Sequence, residues 1–313
     1  MYDLTNLTND HAEMPALNFS QAPAIAVPSI SGSAMLVELS IRNWAGRKLD
    51  KGASQKVTLD NRASTGVANV NKKLLGDCAE LSAVLKFAAN ARNSHYAMTM
   101  PWSDTGMRLL PTAQYFKYNE QMIALKAEYF SLVDAFLSAY NWEISQAQVK
   151  LGDLFNPDEY PSAAALQSKF GFQFTYIPLP ESGDWRVDIE SEAKEELEHH
   201  YRAYYRNQLA AAMADVNQRA YDVLIRMSER LDYGDTETKK IFRDSLVTNV
   251  IEIANLMDSC NLTGDQTMKD NAAMLRKILD GVDAADLRED FALRRATKKA
   301  VDEVIASLPT LGM

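Results

Sequence analysis

The chain has 313 residues, a formal net charge of −9, 47% apolar and 24% charged residues, and only 13 glycines and 10 prolines. This is the composition of a folded globular chain, not of a disordered, collagen-like or low-complexity one. The acidic balance excludes a uniformly basic nucleic-acid coat but leaves room for a local basic patch.

Two cysteines, Cys78 and Cys260, are too few for a disulfide framework or a cysteine zinc site and fit a reducing compartment. The opening MYDLTNLTNDHAEM has neither the basic nor the apolar region of a signal peptide. No apolar run approaches the roughly 20 residues of a membrane span. The expectation is a cytoplasmic protein with no membrane partner.

Residues 1–34 carry Pro15, Pro23 and Pro28 without periodicity and read as an extended arm. If ordered, such an arm needs something to hold it, such as a neighbouring subunit. Residues 35–44 alternate apolar Met35, Val37, Leu39 and Ile41 with mostly polar positions, the pattern of a strand. Residues 50–69 read as an irregular polar connection. The spacing of Leu74, Leu75, Cys78, Leu81, Leu85 and Phe87 predicts a helix from about Asn71 to Asn90. A small hairpin is expected around Ser103-Asp104-Thr105-Gly106.

Tyr115, Tyr118, Met122, Leu125, Tyr129, Val133, Phe136 and Tyr140 then recur at three and four, close to a heptad seam. They predict a long helix over 112–150. A short helix over 162–170 and two strands within 172–189 follow, and a second long helix runs over 190–233 to Gly234. Three further helices are expected at 236–259, 267–280 and 283–308, the last capped by Asp283. The predicted fold class is mainly α with a small antiparallel β component, built on long antiparallel, coiled-coil-like helices and a helical C-terminal region. The predicted organisation is an arm over 1–34, an α+β region over 35–235 and a helical region over 236–313.

Chemistry-bearing patterns are few. Between Arg42 and Lys73 the chain places eight cations against Asp50 and Asp60. Arg42, Trp44, Arg47, Lys48 and Lys51 are the candidate residues for single-stranded nucleic acid, the cations for phosphates and Trp44 for stacking a base. The alternative is a solvated basic loop paired with acidic helices such as 190–198. Phe172, Phe174 and Tyr176 share a strand face and read either as a stacking platform or, more economically, as core. Glu195, Glu196, His199 and His200 lie on helix faces four apart, but no third ligand points to a metal, and an exposed salt-bridged face explains them. The sequence contains no P-loop, G-x-S-x-G or dinucleotide-binding glycine pattern. No cofactor, no metal and no enzymatic reaction are expected.

LVELSIRNWAGRKLDK resembles the N-terminal signature of a family of uncharacterised phage and prophage proteins with an L-x-I-x-x-W-x-G-R-K-like strand and turn. Leu39, Ile41, Trp44, Gly46, Arg47 and Lys48 carry the likeness. EYFSLVDAFLSAYN, 128–141, is similar to that family's long helix, and the likeness spans about 35–235. Genes of this kind lie near those of MoxR-like AAA ATPases and of proteins with von Willebrand A-type domains. The resemblance therefore implies a non-enzymatic, phage-encoded interaction or assembly protein in the host cytoplasm. It would self-associate as a homo-oligomer or serve as an adaptor to an AAA ATPase, and single-stranded nucleic-acid binding is the alternative. No catalytic residue carries over.

Overall fold

The computed structural model describes residues 30–104, 106–179, 191–234, 240 and 243–309. The chain is mainly helical with a small antiparallel sheet. Strand β1 (Ala34–Arg42) is followed by β2 (Arg47–Asp50), helix α1 (Lys51–Asp60), β3 (Val70–Lys73) and α2 (Ala79–Met98). Next come β4 (Met100–Pro101), β5 (Arg108–Pro111), α3 (Tyr115–Leu151), α4 (Ala163–Gln167) and β6 (Gly171–Pro178). The remainder is α5 (Ser191–Leu231), α6 (Ser245–Ser259), α7 (Gln266–Leu279), α8 (Ala284–Glu289) and α9 (Phe291–Ser307).

The four-stranded sheet has the order β4-β5-β1-β6 and is antiparallel throughout. Alternate residues of a strand face opposite sides, and here each side meets a different core. Leu36 and Leu109 enter one core, with Met100, Trp102 and the buried residues of α5–α9. Val37, Ile41 and Leu110 enter the other, with the stripes of α2 and α3. The sheet therefore separates two hydrophobic cores.

The long helix over 112–150 is present as α3, and its predicted seam is its buried face: Tyr118, Met122, Tyr129, Val133, Phe136 and Tyr140. That seam packs on α2. His95 meets Tyr118, Ser94 meets Gln121, and Glu143 comes close to Cys78 at the far end, so the two helices run antiparallel. The second long helix, α5, buries its stripe among α6 and α9 in the other core. Arg219 of α5 donates to Ala97 O at 3.2 Å and Thr99 O at 3.0 Å, and Arg108 donates to Thr99 O at 3.0 Å. Two guanidinium groups thus satisfy the negative C-terminal end of α2 and tie the two cores together.

Several boundaries differ from expectation, each for a local reason. The helix expected from Asn71 begins at Ala79, because Val70–Lys73 pairs with Arg47–Asp50 as a ribbon. Cys78 caps α2, its sulfur accepting from Leu81 N. The connection over 50–69 contains α1, which the apolar pattern does not reveal because its buried residues are Ser54 and Thr58. Asp50 caps it by accepting from Ala53 N at 2.9 Å, and Ser54 accepts from Val70 N at 2.9 Å. The helix expected over 283–308 is two, α8 and α9, broken at Asp290, whose side chain caps α9. Asp283 caps α8 in a reciprocal capping box with Asp286. The second strand expected within 172–189 and the arm before residue 30 lie outside the described residues. Ile30 itself is buried in the α5–α9 core.

Candidate functional site

The five basic-turn residues lie at and beyond the end of β1 and have different surroundings. Arg42 is exposed, and its guanidinium lies over the backbone of the buried Gly171. Trp44 is half-buried. Its ring stacks on Phe136 at 6.1 Å and 27° and meets Tyr140 edge-on at 6.0 Å, so the ring packs on α3. The turn permits this because Gly46, at φ +62°, passes so close to the Leu81 methyl that a Cβ there would come within 2.7 Å.

Arg47 and Lys48 project from β2, opposite Lys73 and Lys72 of β3. Like charges across a ribbon repel, and burial of one of them resolves this. Lys72 is buried, with Nζ 2.8 Å from Glu159 and 3.2 Å from Asp50, and it donates to Leu154 O at 2.7 Å. Lys48 lies 3.7 Å from Glu159, and Lys73 pairs with Asp77. Arg47, Lys51, Lys56 and Arg62 are exposed, and among the described residues none forms an ion pair. Among the described residues, the acids that engage the basic segment are Asp50, Asp77 and Glu159.

Phe172, Phe174 and Tyr176 are core-side. Phe172 is buried against Tyr129 at 5.6 Å, and Tyr176 packs on Tyr115 at 5.1 Å while donating to Asn119 at 3.0 Å. His199 and His200 are exposed, and next to them Glu198 pairs with Arg202. Cys78, Glu80 and Glu143 bring a thiol and two carboxylates within 4.8 Å of one another. Burial and the nearby carboxylates push the Cys78 thiol up to about 11. The thiol donates to Glu80 at 3.5 Å, and a metal bound here would have to displace that proton.

A different feature stands out on the surface. α3 has 37 residues, about 55 Å of helix. The face opposite its buried seam carries Phe116, Ile123, Trp142 and Val149, which are 82%, 55%, 65% and 82% exposed. Between these ends the same face is small: Ala124, Ala127, Ser131, Ala135 and Ser138 are all exposed. Glu120 and Asp134 are the acids on it, and the exposed Lys117 and Glu128 lie along one edge beside Ala124 and Ala135. Ser138 and Ser145 donate to Asp134 O at 2.8 Å and Asn141 O at 3.1 Å, so their protons need no solvent partner. Solvated helices usually display charge on this face; this one displays large apolar ends and a waist of mostly small side chains with few charges. The signal is present in the sequence, but the stronger apolar seam on the other side masks it.

No helix of the described residues is long and apolar enough to cross a membrane. In comparisons with protein-family models, curated proteins and solved structures, nothing matches the chain.

Proposed function

We propose that this chain is a non-enzymatic assembly protein that pairs with a second copy of itself through the outer face of α3. The spacing of that face's large apolar residues carries the reading. A two-fold axis crossing α3 at the level of Leu132 and Val133, with the helices antiparallel, sets Phe116 opposite Val149 and Ile123 opposite Trp142. The same operation sets Ala127 opposite Ser138, where small side chains allow close approach, and Ser131 opposite Asp134. Self-complementarity of this kind is what a two-fold interface requires, and large exposed apolar residues mark contact surfaces. Light scattering during size-exclusion chromatography is expected to give twice the 35.0 kDa chain mass. Ile123→Glu with Trp142→Glu, both at exposed positions, should return the mass to a single chain with unchanged helicity. A wild-type monomer at high concentration, or a dimer unaffected by both charges, contradicts the reading.

The exposed, unpaired Arg47, Lys51, Lys56 and Arg62 favour a second reading, contact with single-stranded nucleic acid. Because Trp44 packs on α3, this reading rests on phosphate contacts alone. Four contacts predict a log–log salt slope of roughly −3. Fluorescence anisotropy with labelled oligo-dT at two salt concentrations measures it, and binding that persists when Arg47, Lys51 and Lys56 are all changed to Glu rejects it. The AAA-ATPase adaptor role and the phage origin rest on the family resemblance. Co-purification with a MoxR-like ATPase tests the former, and failure to bind in every nucleotide state removes it.

A further inference from the structure

Metal-ligating side chains from two helices converge where the start of α2 meets the far end of α3. Cys78 caps α2, Glu80 lies in its first turn, and Glu143 approaches from α3. The thiol sulfur and one oxygen of each carboxylate lie within 4.8 Å of one another. Cys78 is 3% exposed, and both glutamates are half-buried.

Two features of this group are costly without a cation. Carboxylates held this close repel, and more strongly away from bulk water. Among the described residues neither Glu80 nor Glu143 forms an ion pair. Glu143 Oε2 is, in addition, buried without a hydrogen-bond partner. Buried polar atoms of folded proteins are ordinarily satisfied, by protein, water or an ion.

We infer that Cys78, Glu80 and Glu143 are the three protein ligands of a zinc-class divalent cation, with water completing its coordination. A cation removes the repulsion and gives the Glu143 carboxylate a partner. The donor set selects the metal. A thiolate with carboxylate oxygens suits zinc or cobalt, whereas calcium and magnesium take oxygen ligands alone. Around zinc, sulfur and oxygen ligands lie about 3.5 Å from one another. The glutamate side chains therefore need to draw in by about 1 Å. Binding replaces the thiol proton, which leaves to solvent. The Leu81 N–H, which donates to the sulfur at 3.4 Å, and the positive end of α2 stabilise the thiolate that results. The bound cation pins α2 to α3 at this end.

Cobalt titration of the full chain, stripped with chelator and dialysed, tests this. One cobalt(II) per chain should bind saturably, with sulfur-to-cobalt charge-transfer absorption in the near ultraviolet. Zinc should displace it and abolish the absorption, and magnesium should not. Cys78→Ser keeps an oxygen that caps α2, so it should fold but lack the absorption. Cys260→Ser, in the other core, should retain it. Glu143→Gln should weaken zinc binding at least about tenfold, no less than the loss of an outer-shell partner. Zinc should raise the melting temperature of the wild type and not that of Glu143→Gln. Three outcomes would each overturn the assignment: no saturable binding of cobalt or zinc, unchanged absorption in Cys78→Ser, or wild-type zinc affinity in Glu143→Gln. None of them bears on α3 pairing, which light scattering reads separately.

Discussion

Taking the protein from pH 7 to pH 4 is expected to lower its unfolding free energy by about 3 kcal/mol through one side chain, His95. His95 lies on the α2 face that meets α3 and is buried, its Nδ1 2.8 Å from the Tyr118 hydroxyl. Burial first, and the Arg108 guanidinium second, push its pKa from 6.5 down to about 4. The unfolded chain therefore takes up a proton on this group before the folded protein does. The stability is present above pH 6.5, is lost progressively as the pH falls towards 4, and levels off once the pH has passed below 4. Urea unfolding at pH 7 and pH 4 measures the difference. His95→Gln, which keeps a hydrogen-bonding side chain but cannot titrate, should show a pH dependence smaller by about that amount. An identical pH dependence in the two proteins would remove His95 from the explanation.

Lys72→Met is expected to destabilise the protein and to loosen the ribbon and α1, because it leaves the part-buried Asp50 and Glu159 carboxylates without their shared cation. The Lys72 ammonium is the common partner of Glu159 and Asp50, and Asp50 is also the cap of α1. Tyr160 fixes the same region by donating to Leu74 O at 2.5 Å. Hydrogen exchange over residues 47–73 should accelerate in the variant, and adding Glu159→Gln should restore part of the loss. The pH profile has a defined sign. Lys72 is held above its ordinary 10.5, first by Glu159, so its contribution is complete below 10.5 and is lost as pH rises through the elevated value. Asp50 is held below 3.8, first by the Ala53 N–H and then by Lys72, so its contribution is complete above 3.8 and is lost on further acidification. Unchanged exchange in Lys72→Met would show that the ribbon does not depend on this ion cluster.

What could be read from the residues follows from how each element is stabilised. α3 and the helices of the C-terminal half were legible because apolar side chains at three and four spacing define a buried stripe, and Asp283 marks an end through capping chemistry, whereas Gly234, expected as the end of the second long helix, lies beyond Leu231, where α5 stops. α1 was not legible because hydroxyl hydrogen bonds, not apolar burial, seat it: Thr58 donates to Ser54 O at 2.8 Å and Ser54 to Asp50 O at 2.6 Å. The partner of each long helix was also hidden. Periodicity shows that α3 has a buried face but not that α2 covers it, which depends on contacts remote in sequence. Among the basic residues, Lys72 and Lys73 look alike in a row, and only the ribbon's register turns one inward to Glu159 and the other outward to Asp77. Arg294 is buried although it is charged, and its guanidinium lies over the Tyr233 ring at 3.9 Å, a contact between positions remote in sequence.

The antiparallel pairing of α3 with its own copy is tested most directly by disulfide formation between variants that each carry one introduced cysteine. The native Cys78 and Cys260 are buried, so oxidation reports on the introduced thiols. Ile123→Cys and Trp142→Cys, each oxidised alone, should remain uncrosslinked, because in an antiparallel pair each position lies far from its own copy. A mixture of the two variants, allowed to exchange subunits, should form one covalent dimer joining position 123 of one chain to position 142 of the other. Cross-linking of Ile123→Cys with itself, or no cross-linked species in the mixture, would contradict the two-fold arrangement.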